Sequence, residues 1–145
     1  EGGRLCNCGK RGCIERYASA TGLLISAKEA LSLPNDSILK DIKALTAYEV
    51  GKAAEKGDRL ALKVFDDTAK VLAFSLANAT AVTSPEAYIL FGGVANAGEI
   101  LLAPLRKYFE EFVSVVYAGK VRFLLSSIPE NHAAVLGAAG LVISV

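Results

Sequence analysis

Ala87-Tyr88-Ile89-Leu90-Phe91-Gly92-Gly93 is the stretch on which the fold turns. Five apolar residues run without a break, which is short for a helix and suits a strand covered on both faces. Pro85 stops whatever precedes the run, and the glycine pair follows it at once. Downstream, helical spacing extends from roughly Ala97 to Val113, with Pro104 as a point of possible kinking, and Val121-Arg122-Phe123-Leu124-Leu125 forms a second apolar strand. A helix of small residues from about Ala133 closes the chain. Strand, helix, strand, helix predicts a right-handed parallel crossover. Open sheets of this kind bind ligands at the carboxyl ends of their strands, where Gly92-Gly93 lies.

Upstream the pattern is helical. Arg59 to about Thr83 reads as one long helix whose second half, Val71 to Ala79, is apolar or small on nearly every face, which predicts burial inside the domain. Asp58 caps it, and Gly57 ends the helix before it. That earlier helix opens with Thr46-Ala47-Tyr48-Glu49, a capping box. Leu33-Pro34-Asn35-Asp36 is a turn. Ile14 to Leu31, with Tyr17, Leu24, Ala27 and Leu31 at helical spacing, forms a first helix leading straight out of a Gly- and Cys-rich loop over 1–13. There is no internal repeat and no low-complexity linker.

With 145 residues and 52% hydrophobic positions, the chain is long and apolar enough for one domain with a real core. Sixteen Lys plus Arg oppose 15 Asp plus Glu, and the basic residues are scattered, so nothing recruits a phosphate backbone. The uncharged stretches Val71 to Pro85 and Asn131 to Val145 fall short of the roughly 18 apolar residues that a membrane span needs. Glu1-Gly2-Gly3-Arg4 lacks the pattern of a signal peptide, and a cytoplasmic location is expected. The absence of Met fits a piece of a longer reading frame.

All three cysteines fall in Cys6-Asn7-Cys8-Gly9-Lys10-Arg11-Gly12-Cys13. Gly9 and Gly12 permit the positive φ of a tight knuckle, so Cys13 can turn back toward the first pair. Three converging thiolates repel one another unless a cation neutralises them, and zinc takes four soft tetrahedral ligands. Lys10 and Arg11 could temper that negative charge from outside the coordination shell. The alternatives are a disulfide with one spare thiol, disfavoured by the odd count and a reducing compartment, or three unrelated thiols. His132 is the one histidine; near a helix start it reads as a cap or packing residue rather than a fourth ligand.

Cys6-x-Cys8-Gly9-x-x-Gly12-Cys13-x-Glu15 resembles the signature of the ROK family of sugar kinases and sugar-responsive repressors. Gly57-Asp58, Ser84-Pro85-Glu86 and Gly92-Gly93-Val94-Ala95-Asn96-Ala97-Gly98-Glu99 are similar to the family as well, so the resemblance covers most of the chain. Family members commonly have a third glycine where this chain has Phe91. The resemblance implies an α/β chain of the actin-like, ribonuclease-H-like ATPase fold, here the C-terminal lobe: a metal loop over 1–15, a helical part over 16–83 and a βαβα part over 84–145. It implies a structural zinc on Cys6, Cys8 and Cys13, completed by a histidine ahead of Glu1. Glu15 would hydrogen-bond hydroxyls of the sugar; read alone, it is a first-turn glutamate favoured by the helix dipole. Gly92, Gly93 and Asn96 would face the nucleotide; read alone, the glycines are a plain strand-to-helix turn and Asn96 a helix cap.

The implied activity is that of a sugar kinase of the glucokinase type, transferring the γ-phosphoryl of ATP, as its magnesium complex, to a hexose hydroxyl, with glucose the expected sugar. The general base, an aspartate, and the phosphate loop with its Asp-x-Gly-x-Thr type motif would lie upstream, so the chain alone is expected to be inactive and to carry no catalytic residue. A sugar-sensing repressor is the rival, and nucleic acid is a partner only in that case. A homo-oligomer is expected. No dinucleotide fingerprint or P-loop is present, since Gly119-Lys120 runs into Val121 without an earlier glycine. The sequons at Asn35 and Asn78 are discounted for a cytoplasmic chain.

Overall fold

A computed structural model of the chain describes residues 2–128 and 130–143; Glu1, Pro129, Ser144 and Val145 lie outside it, and with them the outer ends of the segments expected over 1–15 and 84–145. Its elements are α1 (Glu15–Ala18), α2 (Ala20–Leu31), α3 (Ala47–Glu55), α4 (Arg59–Thr83), β1 (Ala87–Leu90), α5 (Glu99–Phe112), β2 (Arg122–Leu125) and α6 (Glu130–Ile143). Short 3-10 turns lie at Ile38–Asp41 and Ala95–Ala97.

Capping residues set the helix boundaries. Thr46 Oγ1 accepts from Glu49 N at 3.3 Å to open α3, and Gly57, at φ +83, ends the turn that follows it. Asp58 then accepts from Ala61 N at 2.9 Å, satisfying a free amide of α4. The same carboxylate takes Ser37 Oγ at 3.0 Å and Ile38 N at 2.9 Å. One side chain thus starts the longest helix and ties down the 3-10 turn, which no sequence pattern announced.

The expected single helix from Ile14 to Leu31 is two helices. Ser19 is extended at φ −112 and ψ 174; its hydroxyl accepts from Gly22 N at 3.1 Å and donates to Glu15 O at 2.6 Å. It therefore closes α1 and caps α2 at once. The bend needs Gly22, because a Cβ there would stand 2.6 Å from the Tyr17 backbone.

The core lies where α4 meets α5, α2 and α3. Ala61, Val64, Phe65, Thr68, Ala69, Ala73, Ala77 and Thr80 form a buried stripe along α4 at helical spacing. Its small members let α5 approach with Leu101, Leu102, Leu105 and Phe109, all buried. The expectation that the second half of α4, Val71 to Ala79, lies inside the domain is corrected in part: Ala73 and Ala77 are buried, but Phe74 is 57% exposed. One stripe carries the packing, Leu60, Leu72 and Leu76 flank it half-buried, and Phe74 and Val82 face outward.

β1 and β2 pair in parallel, Tyr88 opposite Phe123 and Ile89 opposite Leu124, as the strand–helix–strand order predicts. Tyr88 and Phe123 stack with centroids 5.7 Å apart, and the Phe109 ring meets Phe123 edge-on at 4.9 Å. The Tyr88 hydroxyl donates to Leu76 O at 3.0 Å, which anchors the sheet to α4. Expected coverage of β1 on both faces does not hold. Successive side chains of a strand point to opposite faces, and the face carrying Ile89 and Leu124 is open, at 65% and 42% exposure. Among the described residues no helix is long and apolar enough to cross a membrane.

Candidate functional site

The cysteine loop is a backbone-determined knuckle. Leu5 and Arg11 form an antiparallel bridge, Cys6 N donates to Lys10 O at 2.8 Å, and Gly9 N donates to Cys6 O at 3.0 Å. Gly9 and Gly12 take φ +82 and +77, the left-handed values expected of them. Gly3 passes so close to Gly12 that a Cβ on Gly3 would lie 2.6 Å from the Gly12 Cα. This fold brings the sulfurs of Cys6, Cys8 and Cys13 within 4.8 Å of one another. All three are free thiols. Cys8 and Cys13 approach to 3.5 Å, well beyond the roughly 2.05 Å of a disulfide.

The three sulfurs fit zinc. At a Zn–S distance of about 2.3 Å, tetrahedral sulfurs stand about 3.8 Å apart, inside the spread observed. Three donors leave one position for a ligand from elsewhere. Among the described residues the cluster contains those three side chains alone, and His132, exposed on α6, is not among them. Proton sharing divides the thiols. The Cys8 thiol is lowered by the backbone of Lys10 and by the neighbouring cysteines, while Cys13 is pushed up to about 11 by its hydrogen bonds to Cys8 and Cys6. Arg11 does not face the sulfurs through a hydrogen bond; its Nη1 donates to Gly3 O at 3.2 Å.

The knuckle feeds directly into α1, because Arg16 N donates to Cys13 O at 2.9 Å. Glu15, the first residue of α1, is exposed, and its Oε1 accepts from Ser19 Oγ at 3.4 Å. Most of its acceptor capacity is therefore left for other donors. Arg4 fastens this assembly. Its guanidinium donates to Arg16 O at 2.8 Å and Ser26 Oγ at 3.0 Å, pairs with Glu29, and lies 4.6 Å from the Tyr17 ring centroid. Sequence reasoning missed Arg4, since an arginine beside a cysteine loop carries no pattern of its own.

The glycines form the strand-to-helix turn, while Asn96 departs from its expected role as a helix cap. Gly92, at φ +96, follows β1, and its carbonyl accepts from Ala95 N at 2.9 Å and Asn96 N at 3.3 Å. Asn96 sits inside the 3-10 turn and does not cap α5. Gly98 holds the N-cap position, with no side-chain cap. Gly93 and Asn96 instead line a cleft of about 540 Å³ whose other wall is one face of α3, comprising Tyr48, Gly51, Lys52 and Glu55. Lys52 pairs with Glu55 at 2.8 Å and stands 5.6 Å from the Tyr48 ring centroid; the glutamate hydrogen bond raises the lysine. Asn96 and Gly92 also border a smaller cavity of about 220 Å³ with Phe91 and Ser126 at the carboxyl ends of the strands. Glu15 and the three cysteines line neither cavity. Sequence reasoning missed the α3 wall, since the capping box and Gly57 mark where that helix begins and ends but not what its faces meet.

Comparison with known proteins gives the family. The model of the ROK family matches residues 1–145. The chain is 38% identical, over 98% of its length, to the glucokinase of Halalkalibacterium halodurans, and 33% identical over 97% to that of Thermotoga maritima. It spans 44% and 45% of those proteins. The xylose repressor of Caldicellulosiruptor bescii is 27% identical over 97% of the chain and is spanned to 36%. A crystal structure of a ROK family glucokinase from Streptomyces griseus with glucose and AMPPNP superposes with a TM-score of 0.84 at 29% identity, covering 96% of this chain and 47% of that one. A ROK family transcriptional regulator, a homologue of the E. coli MLC protein, gives 0.79 at 25% identity, covering 88% and 32%. The fold is thus one lobe of the actin-like ATPase architecture, with a cysteine knuckle at its start. The chain belongs to the ROK family.

Proposed function

We propose that this chain is the C-terminal part of an ATP-dependent hexose kinase of the glucokinase type. The observation that carries the reading is the pairing, within one lobe, of a three-sulfur knuckle leading into Glu15 with a glycine turn that borders a nucleotide-sized cleft. In this reading Cys6, Cys8 and Cys13 hold a structural zinc that keeps the start of α1 rigid. Glu15 accepts hydrogen bonds from the hydroxyls of the sugar, glucose being the favoured one. Gly92, Gly93 and Asn96 meet ATP, bound with magnesium, where bare backbone allows close approach. The general base and the loop that holds the transferred phosphate come from the other lobe, so phosphoryl transfer to the sugar 6-OH needs the full-length protein. A cytoplasmic location and a homo-oligomeric state belong to the same proposal.

Equilibrium titration of the full-length protein with glucose and with AMPPNP tests this directly. Both are expected to bind, and Glu15→Gln should raise the Kd for glucose about tenfold or more while zinc content stays unchanged. Silence toward both ligands would remove the kinase reading. Likeness to xylose repressors over nearly the whole chain supports a second reading, the sugar-sensing half of a transcriptional repressor. Sugar binding without AMPPNP binding, together with retention of operator DNA, would favour it.

A further inference from the structure

Gly51 has no structural reason to be glycine. It lies inside α3, where glycine is a poor helix former. Its φ is not in the left-handed region, and a Cβ built on it would meet nothing within 4 Å. Neither backbone conformation nor close packing calls for the missing side chain. Gly93 stands in the same situation: φ is not positive, and an added Cβ meets nothing within 4 Å. Both residues line the cleft of about 540 Å³. Open space in one cleft is what these two glycines share.

The neighbours of Gly51 on its helix face give that space a chemical character. Tyr48 is 68% exposed, and the Lys52 ammonium lies over its ring, held by Glu55. An exposed aromatic face, the aliphatic stem of a lysine and a bare helix backbone form a flat, partly apolar wall. Thr46, Glu55 and Asn96 place hydrogen-bonding groups around the same cleft. Such a wall suits a flat heteroaromatic ring joined to a polar sugar, a purine nucleoside, better than a monosaccharide that presents hydroxyls on every side.

We propose that Gly51 is a specificity-determining residue of the nucleotide site: its bare backbone is the floor on which the purine base lies, and Gly93 keeps the loop side of the same space clear. This rests on the nucleotide reading above and adds the residue that sets the thickness of the site. A methyl group at position 51 occupies space reserved for the base, and a larger side chain fills it.

Calorimetric titration of the full-length protein with AMPPNP, and separately with glucose, decides the matter for the natural chain, Gly51→Ala and Gly51→Leu. Gly51→Ala is expected to raise the thermal unfolding midpoint, since alanine is the better helix former, and yet to weaken AMPPNP severalfold. Gly51→Leu should weaken AMPPNP about a hundredfold while glucose affinity stays within about twofold. Absence of AMPPNP binding by the natural chain would sink the nucleotide reading itself. Normal binding there, with Gly51→Ala giving a raised midpoint and unchanged AMPPNP affinity, would overturn the role of Gly51 alone. Equal loss of glucose and AMPPNP affinity in Gly51→Ala would overturn it too, because that is the mark of a general structural effect. The alanine variant settles the question even if the leucine variant fails to fold.

Discussion

Two side chains act far beyond their own positions. Asp58 caps α4 and holds Ser37 and Ile38, and although burial alone would raise its carboxyl, these amide and hydroxyl donors outweigh it and keep it below the ordinary range. A depressed folded value means stability that is fully present above about pH 4 and is lost as pH falls through the folded value. Asp58→Ala should therefore cost about 1–3 kcal/mol at neutral pH, read by urea unfolding, and should flatten the acid limb of the stability curve. At the knuckle, Cys13 is pushed up to about 11 and Cys8 is lowered. In metal-free protein at about pH 8, alkylation with iodoacetamide followed by peptide mapping should modify Cys8 ahead of Cys13. With zinc bound, both should be protected, and Cys8→Ser or Cys13→Ser should bring zinc content from about one per chain to near none.

At the scale of elements, the division of labour falls between α4 and α5. Phe109 is wholly buried and touches Tyr88 and Phe123 of the sheet, so it joins helix layer and strand layer in one contact. Phe109→Ala should destabilise by about 3–5 kcal/mol, whereas Phe74→Ala, at 57% exposure, should cost well under half of that; chemical denaturation of the two variants makes the comparison. Helix α1 illustrates what periodicity misses. Tyr17, Leu24, Ala27 and Leu31 keep helical spacing across Ser19, so the pattern continues through a break made by one hydroxyl and one glycine. Asn96 illustrates the converse, a good capping residue placed two positions too early to cap α5.

For the whole molecule, the open face of the two-stranded sheet is the main liability. Ile89 and Leu124 lie opposite each other and are both exposed, a surface that favours association. The 145-residue chain in isolation should self-associate in size-exclusion chromatography, and Ile89→Lys should shift it toward monomer; it should also show no hexokinase activity in a coupled assay. Much of this protein was legible in residue order. The cysteine spacing with its two glycines specified the knuckle, because left-handed turns and three thiols admit few arrangements. Gly57-Asp58 marked a helix boundary, and the strand–helix–strand order specified parallel pairing, since the intervening helix carries the chain back to the end where the first strand began. Only the tertiary structure decided which face of α3 looks into the cleft with Gly93, that Arg4 fastens the knuckle to α2, and that one side of β1 stays open. Those relations join residues distant along the chain, and no local periodicity or propensity encodes a contact whose partner is set by how separate helices pack.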